Sequence, residues 1–266
     1  MSLPVNVQAF KQALQQQRDA LRQAYLAEQL APHALLTQLS SGVDALMREV
    51  WYALSISPSC NLLAVGGYGR GELYPASDVD ILILLPDGVA LAEDELQKIE
   101  QFIGAMWDIG LELGHSVRTF AECLDEASKD ITVQTTLLEM RLLVGDEQRF
   151  SRLAEAAHQQ PDCKDFFDAK LLEQQQRHAR FQGSASKLEA NTKESPGGLR
   201  DLHTVLWITK ACQVGGDWRS LLKIGMLSVQ EVRLLLRSER VLQNLRIALH
   251  YQAKRREDRL LFEYQT

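Results

Sequence analysis

Residues 62–85 read LLAVGGYGRGELYPASDVDILILL, and this stretch decides the fold. It begins with an apolar run at residues 62–65 and ends with another at residues 79–85, each typical of a buried strand. Gly66 and Gly67 stop the first run, as expected where a strand enters a tight turn. The segment between the runs is too short for a full crossover helix. The sequence therefore predicts two strands joined by a glycine-rich turn and one brief helix.

The glycine-rich turn has the features of a phosphate-binding site. Gly66 and Gly67 carry no Cβ, so backbone N–H groups there can approach an anion closely. A short helix that begins at the turn adds a favourable potential for negative charge. Arg70 follows at a position where its guanidinium can hold a phosphate oxygen or a carboxylate at two points.

Two aspartates mark the start of the second strand. Asp78 and Asp80 are two residues apart, so both carboxylates point to one face of the strand. Like charges this close repel each other unless a cation neutralises them, and such oxygen ligands suit Mg²⁺. Two bound metal ions would align a triphosphate for in-line displacement. An isolated Asp-x-Asp or glycine string is more often a solvated strand end or a flexible turn, but their combination between two strands predicts a nucleotidyl-transfer site.

Helical patterns flank the two strands. Apolar residues recur at helical spacing before residue 57, over residues 96–109 and in most of the chain after residue 121, whereas residues 111–119 predict a third strand. The predicted class is α+β with a small mixed sheet. The predicted domains are N-terminal helices at residues 1–57, a catalytic nucleotidyltransferase domain at 58–145 and an all-helical domain at 146–266 that packs on the catalytic site.

The composition is that of an ordinary globular protein and excludes several functions. Of 266 residues, 45% are hydrophobic and 24% are charged, with a net charge of −6. This acidic balance argues against a nucleic-acid partner. The sequence contains no apolar run of membrane-spanning length and no secretory signal pattern, so a cytoplasmic protein without a membrane partner is predicted.

The cysteines do not predict a zinc site or a disulfide framework. Cys60, Cys123, Cys163 and Cys212 lie far apart and form no Cys-x-x-Cys pair. We expect all four to be reduced and partly buried.

Three blocks of sequence carry a family resemblance. The order of strand, double glycine, short gap and Ser-Asp-x-Asp resembles the signature of the DNA polymerase β-like nucleotidyltransferase superfamily. Within it, GGYGRGEL at residues 66–73 with SDVD at 77–80, GHSVRT at 114–119 and KESPGGLRDL at 193–202 resemble the N-terminal part of the bacterial PII uridylyltransferase/uridylyl-removing enzymes. The blocks occur in order and span most of the chain.

The resemblance implies a transferase reaction. UMP would pass from UTP to a tyrosine hydroxyl of the PII nitrogen-regulatory protein, with release of pyrophosphate and with two Mg²⁺ ions as cofactors. The family also has a hydrolase domain of the HD type and sensor domains of the ACT type. This sequence contains no adjacent His-Asp pair, so we expect it to be a fragment without those domains.

The family's roles map onto residues that match its motifs. Two alternatives stay open for Glu112, a third catalytic carboxylate or an exposed strand residue. Two also stay open for the block around Lys193, nucleotide contact or packing of a helix that starts at Ser195 and Pro196. The candidate catalytic residues are Asp78, Asp80 and Glu112, the metal ligands Asp78 and Asp80, and the nucleotide-binding residues Gly66, Gly67, Arg70, Ser77 and Lys193.

Two other functions fit the same residues. One is a related nucleotidyltransferase that acts on another protein acceptor. The other is a catalytically inactive regulatory or partner-binding module of the same fold, against which the intact Asp78, Asp80 and glycine turn argue.

Overall fold

The computed structural model describes residues 6–88, 91–160, 162–181 and 189–265. The chain divides into two compact units. The first comprises the chain up to Lys129 together with Glu139–Ala156, and the second comprises Asp130–Leu138 together with the chain from Ala157 onward.

The first unit is built on a four-stranded mixed sheet. Its strands are β1 (Asn61–Ala64), β2 (Val79–Leu84), β3 (Leu113–Arg118) and β4 (Arg141–Val144), in the order β3-β2-β1-β4. Strand β1 runs antiparallel to β2 and β4, whereas β2 and β3 are parallel. The predicted α+β class and small mixed sheet are confirmed. Strand β4 was not predicted from the sequence.

Amphipathic helices cover this sheet. The helices of the first unit are α1 (Val7–Leu26), α2 (Pro32–Ala53), α3 (Gly66–Gly69), α4 (Glu93–Ile109) and α5 (Phe120–Lys129), and the boundary at Ala156 falls inside α7 (Glu147–Gln159). Helix α2 begins with Pro32, whose fixed φ suits a first helical position, and α4 ends at Gly110 with φ +99°. The rings of Trp51 and Phe102 meet edge to face at 5.2 Å between α2 and α4.

The structural units differ from the predicted domains. Helices α1 and α2 belong with the sheet, because α1 packs on α2 and α4, and α2 packs on α4 and β4. Residues 130–138 belong with the second unit, because Leu138 packs against Phe166 and Trp207. An apolar helix face is visible in a sequence, but the surface that covers it is not.

The second unit is built from α6 (Ile131–Leu137), α8 (Cys163–Phe181), α9 (Leu199–Ala211), α10 (Trp218–Lys223), α11 (Val229–Ala253) and a 3-10 turn at Phe262–Tyr264. A capping box formed by Ser228 and Glu231 opens α11. The predicted helix start at Ser195 is wrong, because α9 begins at Leu199 with Gly198 as its N-cap. The Ser195 carbonyl instead accepts a hydrogen bond from the Gly198 N–H, which closes a turn ahead of the helix.

Two cysteines correct the expectation that all thiols are reduced. Cys163 at the start of α8 and Cys212 at the end of α9 form a disulfide, 49 residues apart in sequence. Packing of α8 against α9 brings them together, which sequence spacing could not reveal. Cys60 and Cys123 are buried free thiols, and burial raises the pKa of Cys123 to about 12.

In the described parts of the chain, no helix is both long enough and apolar enough to cross a membrane.

Candidate active site

A one-turn helix follows the first strand of the sheet. Val65 is extended, and Gly66 then adopts φ +57°, a conformation that favours glycine. The Gly69 N–H donates to the Val65 carbonyl at 2.9 Å, and the Arg70 N–H donates to the Gly66 carbonyl at 3.1 Å. The first N–H groups of any helix have no acceptor within it, so those of Gly66 and Gly67 are available to an anion.

Asp80 lies beside this turn. A Cβ added at Gly66 would stand 3.6 Å from Asp80 Oδ2. Asp80 pairs with Gly114 across β2 and β3, and a Cβ at Gly114 would collide with Asp80 Oδ1. The glycine of the GHSVRT block therefore leaves room for the carboxylate. Asp78 is exposed and lies one residue before β2.

Glu112 is exposed and lies just before β3 rather than within it. Its carbonyl accepts a hydrogen bond from the Val79 N–H at 2.8 Å, which continues the parallel register one step beyond Leu113. Across residues 6–88, 91–160, 162–181 and 189–265, no group of three or more His, Cys, Asp or Glu side chains is placed to hold a metal ion. The role of Glu112 as a third carboxylate stays a prediction.

Arg70 is held by two carboxylates. Its Nε donates to Glu72 Oε2 at 2.9 Å, and its Nη1 donates to Glu139 Oε1 and Oε2 at 2.8 and 2.7 Å. Burial by itself would lower the pKa of Arg70, but Glu139 and Glu72 raise it above its ordinary value. The third nitrogen, Nη2, lies 3.5 Å from the position that a Cβ on Gly67 would occupy. The guanidinium thus combines a fixed end and an end that faces the glycine turn.

A second polar network holds the other side of the turn. The Tyr68 hydroxyl donates to Asp44 Oδ1 at 2.6 Å, and Arg141 Nη1 donates to Asp44 Oδ2 at 2.6 Å. Arg141 Nη2 also donates to the Tyr68 carbonyl at 3.2 Å. Burial, and then the nearby Asp44 carboxylate, raise the pKa of Tyr68, so the phenol stays protonated. The network ties α3 to α2 and β4.

These supporting residues were missed by the sequence analysis. Asp44, Glu139 and Arg141 stand in apolar helix or strand patterns with no motif around them. A buried carboxylate opposite a partly buried arginine is their common signal, and it becomes visible only when distant segments are brought together.

The remaining candidates have local partners. The Ser77 N–H donates to the Tyr74 carbonyl at 3.1 Å, in the turn that leads to Asp78. Lys193 lies in the second unit, with Nζ 3.9 Å from Glu194 Oε1. Burial lowers the pKa of Lys193, and the neighbouring cations Arg246 and Arg200 lower it further. Nucleotide contacts by Ser77 and Lys193 stay predictions.

The KESPGGLRDL block organises the second unit. The Thr192 N–H, next to the block, donates to the Asp258 carbonyl at 2.8 Å. Asp201 accepts hydrogen bonds from Arg177 Nη2 at 2.5 Å and from the Gly197 N–H at 2.7 Å. A Cβ on Gly198 would collide with the Lys193 and Ser195 carbonyls. These contacts explain the glycine, the acid and the polar residues of the block by packing within this unit.

Comparison with known proteins identifies the family. The profile of the nucleotidyltransferase domain matches residues 52–137, and the profile described as GlnD PII-uridylyltransferase matches residues 165–266. The bifunctional uridylyltransferase/uridylyl-removing enzyme of Chromobacterium violaceum is 51% identical over 97% of this chain and 30% of its own length. This chain belongs to the uridylyltransferase/uridylyl-removing enzyme family. The family member from Nitrosospira multiformis is 49% identical over 99% of this chain and 30% of its own length, and that from Burkholderia orbicola is 51% identical over 88% and 27%.

The chain therefore spans less than a third of the length of these uridylyltransferase/uridylyl-removing relatives. The nucleotidyltransferase match includes the glycine turn, Asp78 and Asp80, whereas Asp44, Glu139 and Arg141 fall outside it. The resemblance inferred from the three sequence blocks is confirmed at the level of the family.

Proposed function

We propose that this chain transfers UMP from UTP to a tyrosine hydroxyl of a PII nitrogen-regulatory protein and releases pyrophosphate. The observation that carries the proposal is the position of the Asp80 carboxylate, whose Oδ2 would stand 3.6 Å from a Cβ on Gly66 of the glycine turn. The names of the relatives indicate that the transferred group is uridylyl, and the description of the family profile indicates PII as the acceptor.

The residues of the turn fit a triphosphate. The N–H groups of Gly66 and Gly67 and the Nη2 of Arg70 face the same turn and are all hydrogen-bond donors. Phosphate bound there would lie beside the Asp80 carboxylate, and Ser77 and Lys193 are further candidates for nucleotide contact. Two anionic groups this close require a cation between them.

Asp78 and Asp80 fit that requirement, because carboxylate oxygens are ligands of the kind that Mg²⁺ binds together with phosphates. Two bound Mg²⁺ ions would neutralise charge on the attacking and leaving oxygens. In the reaction, the tyrosine oxygen forms a bond to the α-phosphorus while the bond from that phosphorus to pyrophosphate breaks. The hydroxyl proton passes to a base, for which Glu112 is the candidate.

The test is an incubation of the chain with Mg²⁺, a PII protein and either UTP or ATP, followed by intact mass measurement of PII. We expect PII to gain the mass of one UMP with UTP and no nucleotide with ATP. Replacement of the acceptor tyrosine by phenylalanine is the control and should abolish the gain. Binding of Mg-UTP without any modification of PII would contradict the proposed acceptor, and absence of nucleotide binding would contradict the proposal as a whole.

A further inference from the structure

Glu139 is an almost fully buried carboxylate with no place among the residues proposed for metal or nucleotide. Its side chain is 3% exposed, and it lies two residues before β4, 69 residues after Arg70. A buried charge costs free energy unless it is paired and hydrogen-bonded. Glu139 meets this requirement by accepting two hydrogen bonds from Arg70 Nη1.

The backbone of Glu139 is also fixed against the turn. A Cβ added at Gly69 would collide with the Glu139 carbonyl oxygen. Only glycine lets the two segments approach this closely. The main chain of Glu139 therefore contacts Gly69 of α3, and its side chain contacts Arg70 at the end of that helix.

Because the guanidinium of Arg70 is planar, hydrogen bonds to two of its nitrogens also fix the direction of the third. Nε is fixed by Glu72 and Nη1 by Glu139, so the plane of the group and the position of Nη2 are set. Nη2 is directed to the Gly67 side of the turn, and the side-chain hydrogen bonds that Arg70 makes to described residues use Nε and Nη1 instead. A donor fixed in advance loses little freedom when a phosphate binds.

The charges indicate that orientation matters here more than attraction. Two carboxylates surround one guanidinium, so the Arg70, Glu72 and Glu139 cluster carries no surplus positive charge to attract a nucleotide. What the cluster offers is a pair of N–H donors at a defined place. Donors aimed at charge that develops during reaction contribute to the rate more than to ground-state binding.

We propose that Glu139 is a positioning residue for nucleotidyl transfer, which holds Arg70 so that its Nη2 faces the phosphates bound at the glycine turn. This inference rests on the proposed function and adds a residue that lies outside the region matched by the nucleotidyltransferase profile. Glu139 acts only through Arg70.

The test is a double-mutant cycle on the full chain with Glu139→Gln and Arg70→Lys. Arg70→Lys keeps a cation for Glu139 but lacks Nη2. We expect Glu139→Gln to lower kcat by about ten- to a hundredfold while the KM for UTP changes much less, because misplacement by ~1 Å has effects of that order. In the Arg70→Lys background, Glu139→Gln should lower kcat no further, since contacting residues are not additive.

The matched control is Glu95→Gln, which removes a partly buried carboxylate paired with Lys98 outside the turn and should leave both kinetic constants unchanged. Melting curves separate a loss of folded protein from a loss of turnover. An unchanged kcat in folded Glu139→Gln, or equal losses in both backgrounds, would overturn the proposal.

A second readout does not depend on the acceptor. Side-chain ¹⁵N NMR of the arginines should show slowly exchanging Arg70 Nε–H and Nη signals in the parent, shifted when Mg²⁺ and inorganic triphosphate are added. Glu139→Gln should broaden those signals and abolish the shift. If the parent transfers no UMP but this response is present, only the proposed function fails. If transfer occurs and the Arg70 signals are the same in both proteins, only the role of Glu139 fails.

Discussion

At the scale of single residues, the candidate site residues could be named from the sequence, whereas the residues that hold the glycine turn could not. Asp78, Asp80 and Gly66 lie within one short stretch, so the sequence alone suggested that they belong to one site, and the structure has Asp80 beside Gly66. Glu139 and Arg141 reach the same turn from the approach to β4 and from β4 itself. Nothing in a single sequence specifies which of many acidic and basic residues will pair across such distances.

Loss of either aspartate tests the metal assignment. We expect Asp78→Asn and Asp80→Asn each to lower turnover at saturating Mg²⁺ by at least about 10²-fold, because the amide cannot neutralise a cation. Thermal unfolding should be unaffected or slightly improved, since a like-charge repulsion is relieved. Asp108→Asn, at an exposed acid of α4, serves as the control. Near-normal turnover in either site variant would exclude that residue as a metal ligand.

At the scale of elements, strands β1, β2 and β3 were predicted close to their observed bounds, because apolar runs and turn residues are local signals. Strand β4 was missed, since four residues beginning with an arginine show too little pattern. The start of α9 was misplaced at Ser195 and Pro196, which lie in a turn closed by local hydrogen bonds from the Asn191 N–H to Ser195 Oγ and from the Gly198 N–H to the Ser195 carbonyl. A Ser-Pro pair is compatible with either a turn or a helix start, and here it forms the turn.

Two glycines of the first unit give opposite predictions for the same substitution. Gly69→Ala would drive a methyl group into the Glu139 carbonyl and should destabilise the fold by about 1–3 kcal/mol. Gly104 lies inside α4 with open space at its Cβ position, so Gly104→Ala should stabilise by about 0.5–1 kcal/mol. Urea unfolding measures both, and equal effects would contradict the close approach at α3.

The KESPGGLRDL block predicts a pH effect on stability. Burial alone would raise the pKa of Asp201, but hydrogen bonds from Gln174, Arg177 and Gly197 lower it from 3.8 to about 2. A depressed carboxyl pKa stabilises the fold above the unfolded value and loses that contribution as pH falls through the folded value. The difference in melting temperature between the parent and Asp201→Asn should therefore shrink as pH falls from about 4 to about 2.

The matched variant for that experiment is Asp168→Asn. Asp168 is an exposed acid on α8 whose ion pair with Lys164 is 3.8 Å long. Its removal should leave the acid branch of the melting profile parallel to that of the parent. A parallel profile for Asp201→Asn as well would mean that its carboxylate is not held by the contacts described.

At the scale of the whole chain, the number of elements was easier to predict than their grouping. The sequence suggested boundaries at residues 57 and 145, whereas the units exchange segments, with residues 130–138 assigned to the second unit and Glu139–Ala156 to the first. Contact between segments remote in sequence decides such grouping. Composition and periodicity do not encode it.

The disulfide predicts different responses from the two units. Cys163–Cys212 closes a loop of 49 residues within the second unit, and cross-links of that span stabilise by about 4 kcal/mol when entropy dominates. Reducing agent should lower the calorimetric transition of that unit and leave the transition of the sheet unit in place. The double variant Cys163→Ser with Cys212→Ser should have the melting temperature of the reduced parent, and reducing agent should not change it. If reducing agent also left the melting temperature of the parent unchanged, the result would show that the cross-link does not form.

The attachment of the glycine turn to β4 also sets an order of events on the ribosome. Residues 62–85 emerge complete with glycines and aspartates, yet Glu139 follows Arg70 by 69 residues and Arg141 follows Asp44 by 97. Contacts of such span repay their loop-closure entropy only after the intervening chain has been made and folded. The nascent chain therefore carries the glycine turn and its aspartates before the contacts of Glu139 with Arg70 and of Arg141 with Asp44 can form. Docking of β4 is the step that completes them.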